Sequence, residues 1–356
     1  MSNYFSQRFA SLTPYTPGEQ PRDMQYIKLN TNESPYPPSP CVLAAVEREA
    51  SLLQLYSDPT CKELTERIAA LYGLKPSQVI ATNGSDEALY FAFMAYGGEE
   101  APLVFPDITY GFYPVFADLL GAPYKEIPLK SDFTISPSDY YGDGKRQTVV
   151  IANPNAPTGI CLSLFEIEEI LRRNEGNVVI IDEAYVDFGG ESAVQLIDKY
   201  DHLLVTQTFS KSRSMAGARL GFAMGNEALI ADLHTLRYST NPYNVNRMTA
   251  AAGCAAMAEN EYYLDNCRKI MATREQTKKA LETLGFSVIP SKANFLFVRH
   301  PNVAGKEIYQ KLKKKGVLVR HFEKDRIREY NRVTVGTPEQ MEIFLKTIQT
   351  ITEESL

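Results

Sequence analysis

Tryptophan is absent from these 356 residues, and histidine occurs only four times. His202, His234, His300 and His321 stand far apart, so no pair of them has the spacing of a metal site. Cysteine is sparse as well. Cys41, Cys61, Cys161, Cys254 and Cys267 are odd in number and show no paired spacing, which argues against a disulfide framework and for reduced thiols. No stretch is long and apolar enough to span a bilayer. The opening MSNYFSQRF lacks the apolar core of a signal peptide, so a cytoplasmic protein is expected. Nor is there a basic excess. With 37 basic against 43 acidic residues the net charge is −6, which is no footprint for nucleic acid. The one basic cluster, Lys311 to Lys315 interrupted by Leu312, reads as the solvated face of a helix.

What remains is a globular composition, 44% hydrophobic and 22% charged, on a chain long enough for a large core and two domains. Residues 1–28 are a Pro- and Tyr-rich arm. From about 29 onward strands and helices alternate, the pattern of a mostly parallel α/β sheet, which predicts a large domain over 29–260. The pattern then changes. After a helix over Glu261 to Leu284, short strands are expected at Phe286–Ile289, Asn294–Arg299, Val317–Arg320 and Arg332–Val335. Helices are expected at Gly305–Lys315 and Pro338–Ile351. This reads as a smaller α/β domain, 261–356, joined by the arm. The cleft between the domains is the natural substrate site.

Four strand-end segments carry the chemistry. TQTFSKSRSMAGARLGF follows an apolar run and offers Thr208, Ser210, Lys211 and Arg219 within a short stretch. A lysine that can form an imine, beside a hydroxyl and an arginine that can hold a phosphate, is what pyridoxal 5′-phosphate (PLP) requires. In VVIIDEAYVDF the buried run Val178–Ile181 ends at Asp182, where an acid can pair with a protonated pyridine nitrogen. Tyr185 is three residues on, within reach of the ring's 3-oxygen. In QVIATNGSDEALYFAF a strand over Gln78–Thr82 turns at Asn83-Gly84, and Ser85 is expected to cap a helix whose free N–H groups suit a phosphate. Asp86 and Glu87 put negative charge in that first turn, so Ser210 and Arg219 are needed as counterweights. VVIANPNAPTGICLS ends a fourth strand, Thr148–Ala152, in a turn presenting Asn153 and Asn155. Taken singly each segment is an ordinary turn.

Their order, NGSDE, FPDITYGFYP, NPNAPTG, DEAYVDF and FSKSRSMAGARLGF, resembles the class I/II aminotransferases of the fold-type I PLP enzymes over nearly the whole chain. The resemblance implies that Lys211 carries the cofactor, Asp182 faces its pyridine nitrogen, Tyr185 its 3-oxygen and Tyr110 its ring face. Ser85, Asp86, Ser210 and Arg219 would surround its phosphate. The family's usual Asn before Pro-Thr-Gly is Ala156 here, so either Asn155 reaches in by a shifted turn or Tyr185 makes that contact alone.

SLTPYTPGEQP, IKLNTNESPYPPSP, GVLVRHFEKDR and YNRVTVGTPEQ narrow the likeness to the histidinol-phosphate aminotransferase family. That resemblance implies a homodimer acting on an amino-phosphate and a keto acid. Tyr15 would reach the substrate, and Tyr56 the cofactor phosphate, of the opposite protomer. Arg332 would grip the substrate carboxyl group, Arg320 would lie near its phosphate, and Asn32 and Asn294 would line the pocket. An aromatic amino-acid aminotransferase and a PLP-dependent decarboxylase of amino-acid phosphates share these motifs. With 21 tyrosines and no tryptophan, most tyrosines must be packing residues.

Overall fold

The computed structural model describes residues 2–355. The arm ends in β1 (Ile27–Lys28), and α1 (Pro40–Ala50) and α2 (Lys62–Tyr72) follow. Strands and helices then alternate through β2 (Val79–Thr82), α3 (Ser85–Tyr96), β3 (Leu103–Pro106), α4 (Phe112–Leu120) and β4 (Tyr124–Ile127). Next come β5 (Thr148–Ala152), α5 (Leu164–Arg172), β6 (Val179–Asp182), β7 (Leu203–Thr208) and β8 (Gly221–Gly225). Two helices, α6 (Glu227–Thr240) and α7 (Arg247–Ala258), close this half.

The seven strands form one sheet in the order β2-β8-β7-β6-β5-β3-β4. Neighbours from β7 to β4 pair in parallel, and only β8 runs antiparallel to both its neighbours. Side chains alternate across a strand, and here both faces are covered. Val149, Ile151, Val179, Ile181, Leu203 and Val205 pack with Leu64 and Ile68 of α2 and Ile167 and Ile170 of α5. Val150, Ile180 and Leu204 point the other way, onto Leu89, Phe93, Phe116 and Leu233 of α3, α4 and α6. Two-sided burial is why these strands read as unbroken apolar runs. Each such side chain contributes roughly 1.5–3 kcal/mol, so the strand ends are rigid platforms.

In the second half α8 (Asn260–Thr283) leads to β9 (Ser287–Ile289), β10 (Phe295–Arg299) and α9 (Gly305–Lys314). β11 (Val317–Leu318), β12 (Arg320–His321), β13 (Asn331–Thr334) and α10 (Pro338–Ser355) complete it. Four strands make an antiparallel sheet in the order β12-β13-β10-β9. The strand expected over Val317–Arg320 is two strands. Ile27 of β1 pairs with Val317, whereas Arg320 pairs with Arg332, because the chain changes partners between them. The halves meet where Tyr185 and Phe188 pack on Ile270, Phe295 and Val335. A second contact sets the Phe133 ring edge-on to Tyr330 at 5.3 Å.

Candidate active site

The carboxyl ends of β5, β6 and β7 converge on a cavity of 270 Å³ lined by Ser85, Asp86, Tyr110, Ala156, Asp182, Tyr185, Ser210, Lys211 and Arg219, among others. Thr31, Tyr110, Ala156, Tyr185 and Lys211 also line a 640 Å³ chamber that opens toward the four-stranded sheet. The two spaces therefore meet at Lys211.

The Lys211 amine donates to the Thr31 carbonyl oxygen at 3.1 Å. Burial, and next the charge of Arg332, push its pKa down to about 8. The group is therefore poised to lose its proton near neutrality, as a nucleophile or base must. A stability consequence follows in cofactor-free protein. Between about 8 and the ordinary 10.5 the folded state holds fewer protons at Lys211 than the unfolded state, so stability contributed at this position rises with pH across that window. Denaturation of native and Lys211→Met protein should show native gaining on the variant from pH 8 to 10. Parallel curves would mean the amine charges as readily as in water.

Asp182, the last residue of β6, accepts from Tyr113 Oη at 2.9 Å and Thr206 Oγ1 at 3.2 Å. Burial pushes its pKa up to about 6. A buried carboxylate of this kind needs a cationic partner. The Tyr185 hydroxyl accepts from Asn32 Nδ2 at 2.9 Å and keeps its own proton for an acceptor in the cavity.

The anion end is built from backbone as much as side chains. Gly84, not Ser85, is the N-cap of α3, with φ of 80°, and Ser85 is the first helical residue. The expected Ser85 cap is thus corrected: glycine takes the left-handed turn, and Ser85 lines the cavity instead. A Cβ on Gly84 would sit 2.7 Å from Arg219 Nη2, and one on Gly221 would sit 2.3 Å from the Ser85 nitrogen. Both glycines are required for Arg219 and β8 to lie against the helix start. Arg219 Nη1 reaches Ser210 Oγ at 3.5 Å and Nη2 reaches Asp86 Oδ2 at 3.1 Å. Tyr110 donates to Asp86 Oδ1 at 2.7 Å. Helix N–H groups, two hydroxyls and an arginine facing one wall fit a phosphate. Asp182 and Lys211 face the same cavity, so the set fits PLP as a whole.

Several expected residues sit elsewhere than anticipated. Asn155 does not line either cavity. Its amide donates to Ile108 O at 2.9 Å and Thr158 Oγ1 at 3.1 Å and accepts from Thr109 Oγ1 at 2.8 Å, so it braces the 108–109 backbone and has no donor left for a cofactor oxygen. Asn294 is fully buried behind the chamber, donating to the Asn32 carbonyl at 3.0 Å, and acts through Asn32 rather than lining the pocket. Tyr15 was expected to serve a neighbour. Its ring lines the chamber of its own chain, stacked on Phe112 at 4.2 Å. The arm is held there because Arg320 grips the Thr16 and Pro17 carbonyls at 3.0 and 3.1 Å, and Glu19 accepts from Tyr309 at 2.5 Å and from Lys313. Arg320 lines the chamber, but both terminal nitrogens are committed to the arm. Arg332 is the freer cation. One nitrogen donates to Asn30 O at 3.1 Å, while its buried Nε has no protein acceptor. Tyr56 is 78% exposed, stacked on Tyr243 at 4.5 Å, and lines neither cavity.

Sequence reasoning missed Tyr113, Thr206 and Thr31. Thr206 shares a strand face with Thr208 and so had a periodicity signal, whereas Tyr113, on the first turn of α4, had none. Thr31 had none either.

The fold and site are those of a PLP-dependent transaminase, and residues 24–348 match the family described as aminotransferase class I and II, to which the chain belongs. Within that class its kinship is narrower. It is 50% identical over 353 residues to the histidinol-phosphate aminotransferase of Brachyspira hyodysenteriae, covering 99% of each chain. It is 27% identical, with a TM-score of 0.86 over 93% of this chain and 97% of the other, to the crystal structure of a putative histidinol-phosphate aminotransferase from Erwinia carotovora atroseptica. The histidinol-phosphate aminotransferase of Sinorhizobium meliloti, solved in complex with PLP, shares the fold at a TM-score of 0.90 and 21% identity over 99% of each chain.

Proposed function

We propose that this chain transfers the amino group of histidinol phosphate to 2-oxoglutarate, yielding imidazole acetol phosphate and glutamate in histidine biosynthesis. We place the reaction in a cytoplasmic homodimer with an arm (1–28), a large PLP-binding domain (29–260) and a small domain (261–356). Among the described residues no helix is long and apolar enough to cross a membrane. The observation that carries the reading is the meeting of two cavities beside Lys211: one suits the cofactor, and the other is lined by the half-buried guanidinium of Arg332, whose Nε has no protein partner.

PLP, when bound, supplies an electrophilic carbon for the amine and a ring that accepts electrons. The chain's residues do the rest. Lys211 Nζ would take the α-proton of the donor and give it up again from the same face, ending as the free amine, a role its lowered pKa favours. Asp182 would keep a proton on the ring nitrogen. Tyr185 would donate its free proton to the ring oxygen. The Ser85 and Asp86 backbone N–H groups, the Ser210 hydroxyl and Arg219 would hold the phosphate, with the Asp86 carboxylate bracing Arg219 and Tyr110. Arg332 meets the anionic group of each substrate in turn, since a planar guanidinium fork suits both carboxylate and phosphate. An amine-donor screen with 2-oxoglutarate tests the assignment. Histidinol phosphate should give the highest kcat/KM, and a clear preference for an aromatic amino acid would overturn it.

The dimer reading rests on Tyr56, whose exposed ring touches neither cavity of its own chain. Mixing inactive Lys211→Ala with impaired Tyr56→Ala chains should restore activity, because each mixed dimer contains one whole site. After random exchange about a quarter of all sites are whole. No recovery despite proven exchange would sink the shared site.

A further inference from the structure

Residues 107–110 line the substrate chamber, and the outer end of this stretch is tied down at Asp107. The Asp107 backbone N–H donates to Ile127 O at 2.9 Å, and its Oδ1 accepts from the Leu129 N–H at 2.9 Å, which ties the end of β3 to the end of β4. From the four-stranded half, Arg326 Nη1 donates to Asp107 Oδ2 at 2.9 Å, and Nη2 donates to Leu129 O at 2.8 Å and Lys130 O at 2.9 Å. Lys324 Nζ adds a bond to the Asp107 carbonyl at 2.5 Å. At the inner end Asn155 fixes Ile108 and Thr109. Tyr110 is the next residue, and its hydroxyl is bound to Asp86.

We infer that Arg326 is a positioning residue for the transamination: by clamping Asp107 across the two halves it fixes the 107–110 wall and closes the outer rim of the substrate chamber. Arg326 does not line that chamber, but Asp107, Lys324 and Ile327 do. An isolated surface ion pair would contribute little. This one differs in kind. The Asp107 side chain is only 14% exposed, and the guanidinium fork spans three acceptors on two strand ends, a geometry that lysine cannot copy. Next to it Ile327 and Tyr330 are buried against Phe133, so the clamp sits beside a packed contact between the halves.

The inference rests on the proposed transaminase reading, and the test separates the two using the PLP-loaded enzyme. Arg326→Ala should raise the KM of histidinol phosphate about tenfold while kcat changes less than about threefold, the pattern of lost binding common to ground and transition states. Asp107→Asn keeps an acceptor for Leu129 but offers no charge to Arg326, and should move KM in the same direction. In the double variant the effects should fall short of additive, because both remove one interaction. PLP affinity should stay at the native level in each variant, since Tyr110, the residue of this wall that lines the cofactor cavity, is held separately by Asp86. An unchanged KM in both single variants overturns the inference, as does a KM rise accompanied by PLP loss in both. If the native enzyme fails to use histidinol phosphate, the assigned donor is wrong, and the same KM comparison on the donor it does use decides the clamp.

Discussion

Replacing Lys211 with alanine is expected to lower turnover by at least about 10³-fold, since positioned proton transfer alone contributes about 10²–10⁴. The expected cause is local. The Lys211 amine is the one amine among the residues lining both cavities, and burial holds it readier to release its proton than a surface lysine. No second lysine lines the cofactor cavity. Lys324, in the outer chamber, is bound to the Asp107 carbonyl. The cavity wall otherwise survives the change, so the alanine variant should still bind PLP without turning over. Borohydride treatment of the native PLP-loaded protein should fix the cofactor on the peptide containing Lys211. A label on any other lysine, or a variant with native turnover, would refute the assignment.

Asp182→Asn is expected to cut kcat by about 10²–10³-fold, comparable to removing one preorganised electrostatic group from an active site. Asparagine is the informative substitution. It keeps an oxygen for one of the Tyr113 and Thr206 hydroxyls and offers its amide N–H to the oxygen of the other, so the β6 end stays largely paired, but it cannot balance a proton on the ring nitrogen. Asp182→Ala removes the acceptor as well, leaving two buried hydroxyls unpaired at about 1–3 kcal/mol each. The alanine variant should therefore lose stability that the asparagine variant retains, with similar losses of rate. If Asp182→Asn keeps near-native kcat with PLP bound, the acid is only a brace for the strand end. The buried carboxylate's own pKa, near 6, gives a second readout: binding a cationic ring should pull it down, and with it the acid limb of the pH–rate profile.

The parallel sheet and its strand-end chemistry were legible because they are local. Val178–Ile181 and Thr148–Ala152 are apolar on both faces, and turn residues follow directly, so the motifs fall at strand ends by counting along the chain. Asp182, Lys211 and Arg219 line one cavity. The misplacements came where one side chain could reach two targets. Asn155 has the right chemistry for a cofactor oxygen, but the Ile108 carbonyl and two threonines satisfy its amide first. Arg320 has the right charge for an anion and lines the chamber, and its guanidinium also holds the arm's Thr16 and Pro17 carbonyls.

The chain order of residues thus determined which groups stand at the ends of which strands, since the two-residue period of a strand and the turn residues after it are short-range properties. Tertiary structure alone decided what those groups face. The bonds joining Asn32 to Thr334, Lys211 to Thr31, and Arg326 to Asp107 span 302, 180 and 219 residues. No periodicity encodes them. They exist because the apolar faces of the two halves and the arm can be buried in one arrangement, and the polar groups carried along must then find partners where that packing leaves them.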